Sequence, residues 1–251
     1  MTVPDDAMWA RARSFGSVAA GYARLRPGYP ADAVAFLLGD RPLDVLDVGA
    51  GTGLLSQVVL DQGHRVRAVD PSPEMLAELE ARLPAVPTAV GTAESLPVGD
   101  ASVDAVVAGQ AAHWFDPVPA ARELRRVLRP TGVVGLVWNT RDDRVPWLAA
   151  LEELLDDEAR GHEADQGVVD RLATELRAEV RLQESGIVQR AAPEEVVGGI
   201  ATRSYVALMD DARRAEFLGG IRQLLAEHPD TRGRQELELP YRTHAYRLTP
   251  R

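Results

Sequence analysis

The chain contains no cysteine. Disulfides and thiolate metal sites are thereby excluded, and a reducing cytoplasm is the expected setting. No apolar run approaches the roughly 20 residues that a spanning helix needs, so no membrane partner is expected. The opening stretch MTVPDDAMWARARSFGS carries acids early and lacks the apolar segment of a secretion signal. A basic excess is missing too: the formal net charge is −10. Without a positive footprint, DNA and RNA are disfavoured as partners. There is no internal repeat and no low-complexity linker. No spacing of His, Asp and Glu asks for a metal, and the acids Glu152, Glu153, Asp156, Asp157 and Glu158 read as a solvated helix face.

What is present is 251 residues of 45% apolar content, enough to bury a sizeable core as one large α/β domain. From Asp40 to Trp138 short apolar runs alternate with amphipathic stretches. Strands are predicted at 43–48, 65–70, 86–90, 103–108 and 133–138. Helices are predicted from Leu54 to Asp61, from Ser72-Pro73 to about Leu83, and from Pro117 to Leu128. This alternation implies βαβ crossovers and a parallel sheet. Residues 1–40 read as two helices split by the Arg26–Pro30 turn. Residues 145–230 read as mostly helical, with one strand near 182–190. The alternating segment 237–248 reads as a strand that Pro240 places at or near a sheet edge. Gly198-Gly199 fits either a hinge or a plain helix stop.

The informative stretch is Val45-Leu46-Asp47-Val48-Gly49-Ala50-Gly51-Thr52-Gly53. A strand runs into three glycines and then a helix. Such glycines let the backbone turn tightly and approach a ligand. The helix start behind them offers free N–H groups and a positive dipole end, which suits an anionic group. Leu54 stands where the dinucleotide fingerprint requires its last glycine, which disfavours a nicotinamide-dependent reductase, and no phosphate-loop lysine follows. Asp70 ends the next strand, where a carboxylate can accept both hydroxyls of a ribose. Gly91–Pro97 follows the third strand, and Gln110–Phe115 follows the fourth. All four segments fall where strands end, the rim at which open α/β sheets bind ligands.

The ordered series VLDVGAGTG, AVDPSPEML, GTAESLP, VDAVVAGQAAHWF and LRRVLRPTGVVGLVWN resembles the class I S-adenosylmethionine-dependent methyltransferases. Within them it resembles the small-molecule group called methyltransferase type 11, and its trans-aconitate-methyltransferase-like branch. Phe15, Tyr22, Arg26–Pro30, Arg203–Tyr205 and Leu239–Tyr241 add to that likeness. The resemblance implies a Rossmann-like α/β fold with a seven-stranded, mostly parallel sheet whose last strand is antiparallel. It implies one methyltransferase domain over 1–251: an N-terminal helical cover (1–40), a cofactor-binding core (41–140), a helical acceptor cover (145–230) and a final strand (235–248). It further implies that Asp47, Gly49, Ala50, Gly51 and Gly53 cradle the methionine part of S-adenosylmethionine. Asp70 would bind the ribose, Pro71 and Met75 would line the adenine pocket, and Ala93 and Glu94 would meet the adenine edge. Gln110 and Ala111 would close over the sulfonium, with Tyr22 and Arg26 as a cover. His113, Trp114, Arg203 and Tyr205 would meet the acceptor. Thr92 departs from the Asp found in many relatives, which shifts adenine recognition onto Glu94 and backbone.

Methyl transfer from a sulfonium has a neutral leaving group, so the enzyme chiefly aligns acceptor, methyl and sulfur. A base is needed only for a protonated acceptor, and His113 is the candidate. The expected reaction is methylation of a small molecule, with a carboxylate or hydroxyl oxygen favoured and S-adenosylhomocysteine released, by a cytoplasmic monomer or homodimer. The alternative is a cyclase or isomerase of the same fold that keeps the cofactor without methylating. A non-enzymatic scaffold is disfavoured, since it has no use for Asp47, the glycines and Asp70 together.

Overall fold

The computed structural model describes residues 26–155 and 162–251. Phe15, Tyr22, most of the predicted N-terminal helical segment and Asp156–Glu158 lie outside the described residues. The described chain divides into two compact units. One, here the sheet unit, comprises 28–140, 162–187 and 242–251; the second comprises 26–27, 141–155 and 188–241.

In chain order the elements are α1 (Ala31–Leu38), β1 (Asp44–Val48), α2 (Leu54–Asp61), β2 (Arg65–Asp70), α3 (Pro73–Arg82), β3 (Thr88–Val90) and β4 (Val103–Gly109). A 3-10 turn (Ala112–Trp114) precedes α4 (Pro117–Val127) and β5 (Leu128–Arg141). Then come α5 (Pro146–Leu154), α6 (His162–Leu176), β6 (Ala178–Ala191), α7 (Pro193–Ala201), α8 (Ser204–Ala207), α9 (Asp211–Glu227) and β7 (Leu237–Pro250). The predicted helix starts have local causes. Ser72 Oγ accepts from Met75 N at 3.3 Å, with Pro73 in the first turn, and Asp116 Oδ1 accepts from Val118 N at 3.3 Å ahead of Pro117.

The seven strands lie in the order β3-β2-β1-β4-β5-β7-β6. β1 pairs parallel with β2 and β4, β2 with β3, and β4 with β5. β7 runs antiparallel to β5: Asn139 bonds Thr243 and Thr140 bonds Arg242, so the numbers rise on one strand as they fall on the other. On this side the edge strand is β6, and β7 with Pro240 lies one strand in; Pro240 still offers its carbonyl, which accepts from Asp142 N at 2.9 Å. β5 begins at Leu128, well before the predicted 133. Its pairing with β4 jumps from Val103↔Leu128 to Ala105↔Val133, so residues 129–132 form a bulge that absorbs Pro130 and Gly132.

Alternate residues of the central strands feed two apolar layers. Val45, Ala105, Val107, Val133 and Val137 pack with Leu37, Leu55, Val59 and Leu79 on one face. Leu46, Val48, Val106, Val134 and Leu136 pack with Leu124, Val169, Leu172 and Leu176 on the other. This is the period-two alternation of a strand buried on both sides, and it explains why these strands read as continuous apolar runs.

Candidate active site

The carboxyl ends of the four parallel strands β1 to β4 lie together, and the sequence-predicted segments follow them. Gly49 N and Ala50 N both donate to Val69 O, at 2.8 and 3.1 Å, which ties the glycine loop to β2. Gly49, Gly51 and Gly53 have φ of 71°, 54° and 82°, a region costly for any side chain. Their surroundings differ. A Cβ on Gly49 would stand 2.5 Å from Ala111 Cβ, and one on Gly53 2.8 Å from Leu79. A Cβ on Gly51 would meet nothing within 4 Å. Gly49 and Gly53 are thus needed for packing as well as turning, whereas Gly51 faces open space. From α3, Arg82 Nη1 holds the Thr52 carbonyl at 2.8 Å.

Asp70 is turned onto this loop. Its Oδ2 accepts from Gly51 N at 2.8 Å and its Oδ1 from Ser72 N at 2.9 Å. Burial raises its pKa, and the two backbone N–H groups oppose that rise. Each carboxylate oxygen retains a second lone pair, so acceptance of further hydroxyls is still available. Asp47 lies beneath the loop, fully buried. Ser56 Oγ donates to its Oδ2 at 2.6 Å, and its Oδ1 has no hydrogen-bond partner among the described residues. Burial pushes its carboxyl up to about 7, and the nearby Asp70 charge adds to this while Ser56 opposes it. Pro71 is half-buried and Met75 buried, at the start of α3.

Gly91 N donates to Asp70 O at 3.2 Å, which sets the next segment beside β2. There Ala93 is buried, and Glu94 Oε1 accepts from Asp116 N at 2.9 Å. After β4, Gln110 adopts a φ of 54°, unusual outside glycine, and its Nε2 donates to Asn139 O at 2.9 Å. Ala111 is buried, and the half-buried His113 and Trp114 have ring centroids 5.1 Å apart. Tyr22 lies outside the described residues, and Arg26, Arg203 and Tyr205 belong to the second unit.

Three residues here escaped the sequence reading. Ser56, one turn into α2, is the partner of Asp47. Asn139 is buried and bonds Gly28 O through Nδ2 at 2.8 Å and Thr243 Oγ1 through Oδ1 at 2.6 Å. Arg141 ends β5 with its side chain 9% exposed and bonds Glu152 at 2.5 Å. A polar residue closing an apolar strand was the available signal for Asn139. Nothing local marked the other two.

A strand–glycine–helix turn with a carboxylate clamped onto it, at the rim of a β3-β2-β1-β4-β5-β7-β6 sheet, defines a Rossmann-like α/β protein. Comparison with known proteins narrows this. The family model described as a methyltransferase domain matches residues 46–136. An uncharacterized methyltransferase of Mycobacterium bovis is 43% identical over 237 residues, covering 94% of this chain and 95% of its own. A malonyl-acyl-carrier-protein O-methyltransferase of Enterobacter lignolyticus is 32% identical over 179 residues, covering 66% of this chain and 71% of its own. A solved Anaeromyxobacter dehalogenans protein assigned to the type II methyltransferases superposes with a TM-score of 0.64 at 28% identity, over 90% of this chain and 97% of that one. The cyclase SpnF shares the fold alone, with a TM-score of 0.50 at 19% identity over 88% and 79% of the two chains. The chain belongs to the class I S-adenosylmethionine-dependent methyltransferases. Among the described residues no helix is long and apolar enough to cross a membrane, and no group of three or more His, Cys, Asp or Glu is placed to hold a metal.

Proposed function

We propose that this chain transfers a methyl group from S-adenosylmethionine to an oxygen, carboxylate or hydroxyl, of a small-molecule acceptor in the cytoplasm. The observation that carries the reading is the Asp70–Gly51 clamp, which fixes an open glycine turn against a buried carboxylate. The donor set fits the cofactor. The open face at Gly51 leaves room for a ligand, the loop amides suit a carboxylate, and Asp70 keeps lone pairs for ribose hydroxyls. When bound, S-adenosylmethionine supplies an electrophilic methyl on a sulfonium.

In this reading Gly49, Ala50, Gly51 and Gly53 hold the amino-acid part, with Asp47 setting the loop from below through Ser56. Asp70 binds the ribose; Pro71, Met75, Ala93 and Glu94 flank the adenine; Gln110 and Ala111 lie at the sulfonium side. His113 serves as a base only for a hydroxyl acceptor, because an ionised carboxylate needs none. The main work of the chain is then alignment and exclusion of water.

Calorimetric titration with S-adenosylmethionine and S-adenosylhomocysteine tests the reading, followed by mass spectrometry of an acceptor panel for a gain of one methyl group. Micromolar binding with methylated product supports it. No binding of either ligand sinks it. Binding with turnover of an added substrate that gains no methyl assigns the chain to the cyclase-like alternative.

A further inference from the structure

The second unit holds buried positive charge. Arg141 at the end of β5 is nearly closed off from solvent, and its ion pair among the described residues is with Glu152, at 2.5 Å. Its Nε is buried and has no hydrogen-bond partner among the described residues. Arg203, between α7 and α8, is half-buried, and among the described residues no carboxylate lies within ion-pair distance of it. Other carboxylates of this unit have arginine partners of their own. Asp142 grips Arg144 through both oxygens at 2.7 and 2.6 Å, Glu238 holds Arg190 and Glu194 holds Arg222. Arg213, Arg232 and Arg234 are exposed, and water serves them.

Burial together with the positive fields of Arg141 and Arg26 pulls the Arg203 guanidinium down to about 10. Removing a guanidinium from water without an anion is unfavourable. Arg141 and the half-buried Arg203, with Glu152 as the one carboxylate acting on both, therefore leave a place for a negative group. A guanidinium fork matches two oxygens of one planar or tetrahedral anion.

We propose that Arg203, backed by Arg141, forms an oxyanion-binding site in this unit and takes the carboxylate or phosphate group of a small molecule.

The test is calorimetry on the whole protein at fixed ionic strength, with citrate, malonate and inorganic phosphate as probes and chloride as the control. Arg203→Gln and Arg203→Lys are measured alongside, and S-adenosylhomocysteine titration with thermal melting reports that each variant is folded. Saturable one-to-one binding of at least one probe is expected, weakened tenfold or more in Arg203→Gln and less in Arg203→Lys. Preference for citrate or malonate assigns a carboxylate, and preference for phosphate assigns a phosphate ester. Binding that survives Arg203→Gln unchanged overturns the site, as does absence of binding by every probe in a protein that still binds S-adenosylhomocysteine. Anion binding in a protein that binds no S-adenosylhomocysteine supports the site and overturns the methyl-transfer reading instead.

Discussion

Asp70, the last residue of β2, accepts a hydrogen bond from the amide of Gly51 at 2.8 Å, so the second strand holds the turn that leaves the first. Removing the carboxylate has two separable consequences. Asp70→Ala leaves the N–H groups of Gly51 and Ser72 without their acceptor, a loss of roughly 2 kcal/mol in stability. It also removes the proposed ribose ligand. Urea denaturation should report the first effect, and calorimetry a fall of at least tenfold in S-adenosylhomocysteine affinity. Asp70→Asn keeps one acceptor oxygen and should recover much of the stability but little of the affinity. Equal recovery of both would mean that Asp70 only braces the loop.

Gly49 and Gly51 separate packing from ligand space. Both have positive φ, so a side chain at either costs about 1–2 kcal/mol in backbone conformation alone. At Gly49 the added Cβ also collides with Ala111, and Gly49→Ala should lose more than that amount. At Gly51 there is no collision. Gly51→Ala should fold with only the backbone cost and yet lose cofactor affinity, because the methyl occupies the open side of the turn. A Gly51→Ala protein that binds S-adenosylhomocysteine like wild type would show that the ligand does not lie there.

The buried carboxyl of Asp47 gives a pH signature. Its folded value of about 7 stands above its ordinary value of 3.8. A carboxyl raised on folding favours the native state most below its unfolded value, and that contribution is lost as pH rises through its folded value. The window is therefore pH 4 to 7. Asp47→Asn has no such proton to lose. The stability of wild type relative to Asp47→Asn should fall as pH rises across that window, by an amount on the order of a few kcal/mol. Chemical denaturation of both proteins at half-unit pH steps measures it. A flat difference would mean that the carboxylate is stabilised in its ionised form.

The legible parts of this molecule are those whose cause is local. The glycine turn, the Ser72 cap, Pro73 and Pro117 at helix starts, and the apolar strands around Val106 and Val134 each carry their reason within a few residues. The hidden parts depend on distant neighbours. Asn139 reads as the polar end of an apolar strand, while its role comes from Gly28 and Thr243. Arg141 lay beyond the predicted end of its strand, which runs on past its last pairing with β4 at Val137 because β7 lies alongside it. β3 is only three residues long, held by β2 on one side at the sheet edge, so its signal in the sequence was correspondingly weak.

His113 distinguishes acceptor classes. It lies partly buried against Trp114, just beyond the carboxyl end of β4. An acceptor attacking through an ionised carboxylate surrenders no proton, so His113→Asn should change kcat by less than about fivefold. A hydroxyl acceptor needs its proton taken, and loss of that base costs about 100-fold or more. Once an acceptor is in hand, kcat and its pH profile for wild type and His113→Asn decide the matter: a hundredfold loss together with disappearance of the acidic limb would establish His113 as the base.

Asn139 joins three parts of the sheet unit. Its amide nitrogen holds Gly28 O, its amide oxygen receives Thr243 Oγ1, and its backbone carbonyl receives Gln110 Nε2. The last bond anchors a residue whose backbone φ of 54° is costly for glutamine. Asn139→Ala leaves a buried hydroxyl and a carbonyl without partners, for a loss of roughly 2–3 kcal/mol. Thr243→Val removes one of those bonds, for about 1 kcal/mol. Because both changes break the Asn139–Thr243 bond, their effects should fall short of additivity by about 0.5–1.5 kcal/mol in a double-mutant cycle. Strict additivity would show that the two side chains act independently. The backbone bond to Gln110 survives either substitution, so S-adenosylhomocysteine affinity should fall less than threefold in the single variants. A larger fall would mean that β7, through Thr243 and Asn139, sets the conformation of Gln110 at the site.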